Sequence, residues 1–247
     1  MNEMDLKYKH DDSIVVFIDV LGSSEQIKNN PENALNAIHD AYDEALDTFQ
    51  LLLKNVKKPP QIRIFSDNIV ISCTCTDETF NKCLYTIVVL SSIFQENLLK
   101  YNILARGGIT RGEFFSDDVM IWGKALVDAY TLEKSIAIYP RIVIHPQVIL
   151  ESGVFANRGE AVDKAILPWI HQDQDGLYYV DYLNTNSLIK PSFLLYTYLQ
   201  DNEIRLRIYK DNLKIMQKIE WHANYLNRKL FEIESQNNNN VHNESYE

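Results

Sequence analysis

Cysteine is scarce in this sequence: Cys73, Cys75 and Cys83 are its three thiols, and they lack the C-x-x-C spacing that a structural zinc site requires. They read as free thiols in a reducing cytosol. Positive charge is also in the minority, with 24 basic against 34 acidic residues, a formal net charge of −10 and a pI near 5.1. That balance leaves no sequence-wide basic surface for a phosphate backbone, so nucleic acid is excluded as a partner. Long apolar runs are missing too. The best stretch, Leu84 to Phe94, is broken by Thr86, Ser91 and Ser92 and is too short for a bilayer, while Met1 to Asp12 is polar and carries acids. The expected place is the cytoplasm, with no membrane partner. The six histidines include no H-E-x-x-H pair, Ser23, Ser24 and Ser66 stand in no G-x-S-x-G elbow, and there is no G-x-x-x-x-G-K-[ST] loop. Zinc hydrolases, α/β-hydrolases and P-loop NTPases lose their signatures accordingly.

What is present is a chain that is 46% apolar, enough for one main domain with a C-terminal extension. Ile14 to Leu21 is a β-branched run closed by Gly22-Ser23-Ser24 and reads as a buried strand with Asp19 near its end. Apolar residues recur at three and four from Pro31 to about Val56, an amphipathic helix stopped by Lys57-Lys58-Pro59-Pro60. Gln61 to Phe65 and Ile69 to Cys73 flank Ser66-Asp67-Asn68 and predict a hairpin with Asp67 at its tip. A second helix is expected over 77–101, ended by Asn102, then a strand over 103–115 pairing with 118–122. A third helix over 123–137 leads into a strand at 140–145.

The order β-α-β-β-α-β, extended by a further β-α-β, predicts an α+β, ferredoxin-like split βαβ core with an antiparallel-rich sheet and helices on one face. Beyond Pro146 an edge strand is expected over 177–183, and one long helix over 204–235. The tyrosines at 178, 179, 182, 196 and 198 read as core or dimer packing. The expected divisions are a segment 1–12, a main domain 13–185, a helical extension 186–235 and a disordered tail 236–247.

A carboxylate near the end of an apolar strand is costly to desolvate unless it is paired, hydrogen-bonded or bound to a cation. In a split βαβ core the hairpin folds back beside the first strand, which brings Asp67 near Asp19. Two carboxylates at one spot share a proton or hold a metal, and Mg²⁺ or Mn²⁺ on two carboxylates plus phosphates is the usual arrangement for phosphoryl and nucleotidyl transfer. The plainer alternative is that Asp67 serves its turn and Asp19 caps the loop after it.

Phe17-Ile-Asp19-Val-Leu-Gly22, Arg63-Ile-Phe-Ser-Asp67, Arg106-Gly-Gly-Ile-Thr-Arg-Gly112 and Trp122-Gly123 with Ala129 and Leu132-Glu133, in that order, resemble the motifs of the class III nucleotide cyclases over residues 13–145. The resemblance implies that Asp19 and Asp67 bind two Mg²⁺ or Mn²⁺ ions with the Val20 carbonyl. It implies that Gly22 and Ser23 cradle a triphosphate beside Phe17, and that Arg63 and Met120 take the base-reading positions. It further implies a homodimer with sites at the interface. The positions that carry the family's ribose asparagine and transition-state arginine hold Val127 and Thr131 here, so the cationic charge falls to Arg106, Arg111, Lys124 or Arg141. Arg106 and Arg111 are an odd number of positions apart on one strand, so only one faces the site.

The pattern is most similar to the stand-alone pyrimidine cyclases of the bacterial Pycsar antiphage systems, which implies a UTP substrate, a cyclic UMP product and a separate cyclic-nucleotide-activated effector. CTP and cyclic CMP are the alternative, and a non-catalytic nucleotide-binding or dimerising module is the other.

Overall fold

The computed structural model of the protein describes residues 8–23, 28–52, 59–155, 164–184 and 192–244. Ser24, Val56, Lys57, Lys58 and the start of the expected N-terminal segment lie outside them. The chain divides into two compact units, Met1–Tyr182 and Leu183–Glu247.

The first unit is built on β1 (Asp11–Val20), β2 (Gln61–Phe65), β3 (Asn68–Thr74) and β4 (Ala105–Ser116), with helices α1 (Pro31–Leu52) and α2 (Phe80–Lys100) between them. Their order in the sheet is β2-β3-β1-β4, and the three contacts are antiparallel, as a split βαβ core requires. The sheet continues through β6 (Ile142–Ile144), parallel to β4, then β8 (Tyr178–Val180) and β7 (Ile170–Gln172), while β5 (Ile121–Trp122) pairs only with the end of β4. The mixed α+β fold with an antiparallel-rich sheet is therefore observed. The strand expected at 177–183 is shorter and is not an edge: it is β8, enclosed between β6 and β7, and β7 takes the edge.

β1 is buried on both sides because nearly every residue from Ser13 to Phe17 is apolar, so the sheet must be covered twice. One face, carrying Ile14, Val16, Ile18, Ile69 and Ile71, packs on α1 and α2. The other, carrying Val15, Phe17 and Val70, packs on Ala125 and Ala129 of α3 (Lys124–Ser135). Helices thus lie on both faces, not on one. α3 sits close because Gly108 has no side chain: a Cβ there would meet the Ala129 carbonyl oxygen at 2.6 Å and the Leu132 Cβ at 2.9 Å. Asn102 does end α2, in the left-handed region (φ 59°), with the Asn102 and Ile103 amides donating to the Leu99 and Leu98 carbonyls. Cys73, Cys75 and Cys83 are free and buried, and burial pushes the Cys75 thiol up to about 12.

His145 caps α4 (Pro146–Ser152), its Nδ1 accepting from the Gln147 amide, and Arg141 is fully buried between Asp173 and Asp175. Both are structural. In the second unit the single long helix expected over 204–235 is two, α5 (Ser192–Ile208) and α6 (Leu213–Glu244), and α6 extends to Glu244, into the segment expected to be disordered. The break follows from Asn212, whose side-chain oxygen accepts from the Ile215 amide and starts α6 afresh. Asn202 and His222 join the two helices through a 2.9 Å hydrogen bond. Among the described residues, no helix is long and apolar enough to cross a membrane.

Candidate active site

Strand register places the chemistry. Phe65 pairs with Asn68, Asn68 with Asp19 and Asp19 with Arg106, so these four form one row across β2, β3, β1 and β4 on the α3 face of the sheet. The next row is Arg63, Val70, Phe17 and Gly108. Because side chains alternate, a single row carries the polar groups while the row beneath it is apolar except for Arg63.

The hairpin tip is a two-residue turn, Ser66-Asp67, with Ser66 at φ 57°. A positive φ at the first central position matches the right-handed twist of the flanking strands. The turn folds onto the end of β1, and the Val20 amide donates to the Asp67 carbonyl at 3.2 Å. Asp19 and Asp67 therefore stand at one end of adjacent strands. The chain leaves β1 through the Leu21 amide, bonded to the Leu104 carbonyl at 2.8 Å, and turns at Gly22 (φ 77°), around which a side chain would find open space. That turn brings the Ser23 hydroxyl to donate to Asp67 Oδ2, while Asn68 Nδ2 donates to Oδ1 at 3.2 Å.

Burial raises the Asp67 acid, but bonds from Ser23, its own amide and Ser66 outweigh it and hold the carboxyl below its ordinary value near 3.8. A folded value below the unfolded one contributes stability that is fully present above about pH 3.8 and is lost as the pH falls through the folded value. Ser23→Ala is expected to raise the Asp67 value, read by carboxyl-carbon NMR titration. It should also cost about 1 kcal/mol in urea unfolding at pH 7, a cost that shrinks below the Asp67 titration. An unchanged Asp67 titration in Ser23→Ala would show that the hydroxyl does nothing for the acid.

Asp19 is held differently. Arg106 Nε donates to Asp19 Oδ2 at 3.2 Å, and Arg106 Nη2 lies 2.6 Å from Glu133 Oε1. Both members of the Asp19–Arg106 pair are mostly buried, and the Glu133 side chain is only 3% exposed. Three carboxylates, Asp19, Glu133 and Asp67, against the Arg106 guanidinium sum to a formal −2 over these four described side chains. No three His, Cys, Asp or Glu side chains converge on one point among the described residues, so a metal here would have two carboxylates and would complete its shell with backbone, water or substrate oxygens. That donor set fits a hard divalent cation such as Mg²⁺, which is commonly held by one or two carboxylates plus phosphates.

The remaining expected residues fall around this row. Phe17 is buried, edge-on to Tyr130 at 5.4 Å and tilted to Phe65 at 6.5 Å. Arg63 donates to the Asp117 carbonyl at 2.9 Å, which ties the outer strand to the loop carrying Met120, itself half exposed. Arg111 faces the other side of the sheet, among Asp12, Asp77 and Glu151, as the odd spacing predicts. Lys124 pairs with Asp128 along its own helix, and Thr131 Oγ1 turns back to the Val127 carbonyl at 2.7 Å. Of the four cations weighed, only Arg106 reaches the row. Glu133 is the residue that sequence reasoning does not place in the site. Its signal is a single acid beside the small and apolar positions Ala125, Ala129 and Leu132 of one helix.

The chain trace is similar to those of nucleotide cyclases. The adenylyl cyclase CyaB from P. aeruginosa aligns at 15% identity and a TM-score of 0.48, over 71% of this chain and 96% of that one. The guanylyl cyclase domain of the RhoGC fusion protein from Blastocladiella emersonii aligns at 11% identity and a TM-score of 0.44, over 70% and 96%. An adenylate/guanylate cyclase/hydrolase from Silicibacter pomeroyi aligns at 18% identity and a TM-score of 0.43, over 70% and 96%. No family model matches the sequence. No curated protein matches it either.

Proposed function

We propose that the protein is a metal-dependent nucleotide cyclase that closes a pyrimidine nucleoside triphosphate, UTP before CTP, into its 3′,5′-cyclic monophosphate and pyrophosphate. The observation that carries this reading is the position of Asp19, paired with Asn68 on β3, next to the Asp67 turn, whose carbonyl accepts from the Val20 amide. Asp19 and Asp67, with the Val20 carbonyl, would hold two Mg²⁺ or Mn²⁺ ions. Bound there, such ions supply Lewis-acid activation of a ribose hydroxyl and charge neutralisation on the phosphates.

The chain's own groups do the rest. The open space at Gly22, next to the buried Ser23 that holds Asp67, would admit phosphate oxygens. Phe17, packed under Tyr130, gives the row a firm apolar floor. Arg63 and the Met120 loop, tied together through Asp117, stand where a base would be read. Exposed Val119, Met120, Trp122 and Val127 form an apolar surface on the β5 loop and α3, which supports a homodimer in which a second copy completes the site. A soluble messenger synthase that acts through a separate effector in antiphage defence is the setting this reading implies.

A non-catalytic nucleotide-binding module is the second reading. It is favoured by Val127 and Thr131, which bond along their own helix and offer no cation. Incubation with each of the four nucleoside triphosphates and Mn²⁺, with mass identification of products, decides between them. Cyclic UMP with matching pyrophosphate is expected. Cyclic CMP corrects the base, and binding without any product favours the module.

A further inference from the structure

Arg106 carries an unusual division of labour. The Nε and Nη2 hydrogens lie along one edge of a guanidinium, and that edge ordinarily grips a single carboxylate with two parallel bonds. Here it is split: Nε donates to Asp19, and Nη2 stands 2.6 Å from Glu133 Oε1 as an ion pair. Glu133 is buried on α3, and α3 is docked closely enough that a Cβ on Gly108 would lie 3.1 Å from the Glu133 amide nitrogen. Glu133 is thus brought to Arg106 by backbone packing and not by a mobile side chain reaching over the surface.

The charge count turns this into a function. An arginine clamped by both bonds to Asp19 alone would make a neutral pair and would compete with a cation for the same oxygens. With Glu133 beside it, the Asp19–Arg106–Glu133 group sums to a formal −1, and these three with Asp67 to −2, while the geometry gives Asp19 one nitrogen of the fork and not two. We infer that Glu133 is a positioning residue for divalent-cation binding: it draws off one half of the Arg106 fork, so that the Asp19 carboxylate keeps charge and coordination capacity for the ion. The inference rests on the metal-dependent reading above and adds to it a residue that would touch neither metal nor nucleotide.

The test is Mn²⁺ titration of the full chain without nucleotide, followed by the loss of free-ion EPR signal, for the parent, Asp67→Asn, Glu133→Gln, and Glu133→Gln combined with Arg106→Gln. Glu133→Gln is expected to weaken Mn²⁺ binding about tenfold, the scale of lost outer-shell partners, because Nη2 is released to take Asp19. Adding Arg106→Gln removes the competitor and should restore binding to the parent level or tighter, a coupling that a double-mutant cycle isolates. The double variant keeps the group's formal charge at −1, now on Asp19 without Arg106 beside it, so a thermal melt of each variant accompanies the titration and binding is compared between folded proteins.

A Glu133→Gln protein that melts earlier but binds Mn²⁺ like the parent reduces Glu133 to a packing role and overturns the inference. A double variant that binds more weakly than the parent overturns it too. A parent that binds no Mn²⁺, or binds it no better than Asp67→Asn, removes the metal-dependent reading and this inference with it.

Discussion

Asp67→Asn is expected to cut cyclic-nucleotide formation by at least about 100-fold while the protein stays folded. The substitution is close to isosteric and keeps a residue that turns accept well. Its backbone carbonyl still receives the Val20 amide, and the Ser23 hydroxyl can still donate to the remaining side-chain oxygen. What disappears is one negative charge from four side chains that sum to a formal −2, and with it one of two anionic oxygen donors. Asp19→Asn should have an effect of the same size for the same reason, and it leaves Arg106 and Glu133 as a neutral pair. Pyrophosphate release at saturating Mn²⁺ measures both. Retention of more than half the parent rate by either variant would mean that the paired aspartates are structural.

Gly108→Ala is expected to be among the most destabilising single-methyl changes in the first unit. The added carbon would lie 2.6 Å from the Ala129 carbonyl oxygen and 2.9 Å from the Leu132 Cβ, contacts that only a shift of α3 relieves. Overpacking of this kind costs about 3 kcal/mol at its upper end. Replacing a glycine whose φ is ordinary returns about 0.5–1 kcal/mol through the unfolded chain, so a net loss of about 2 kcal/mol remains. For a chain of this length that is a fall in Tm of roughly 4–8 °C, measured by circular dichroism. A variant that melts with the parent would show that α3 has room to move away, and would remove the reason for Glu133 being so firmly placed.

Much of the core was legible because it is encoded locally. β1 declares itself by its run of β-branched residues, and the Ser66-Asp67 turn by residues that accept its geometry. Asn102 marks the end of α2 through its tolerance of a left-handed backbone. That the Asp67 turn lies at the Asp19 end of β1 then follows from topology, since a hairpin in this fold has one place to go. The break between α5 and α6 was not legible from apolar periodicity, which runs through it; the Asn212 cap overrides the pattern. β7 and β8 are three residues each and owe their place to the sheet edge they extend, so their short segments carry little signal of their own.

By itself the chain determined the order of elements from β1 to β6 and the hairpin that carries Asp67 at its tip, because short-range propensity and turn chemistry act within a few residues. Only the tertiary structure decided that helices cover both faces of the sheet, that Arg111 belongs to the wrong face, and that Arg106 is shared between Asp19 and Glu133. Those outcomes depend on close packing of α3 over Gly108 and on buried charges finding partners far away in sequence, and such energies exist only once the chain has closed on itself.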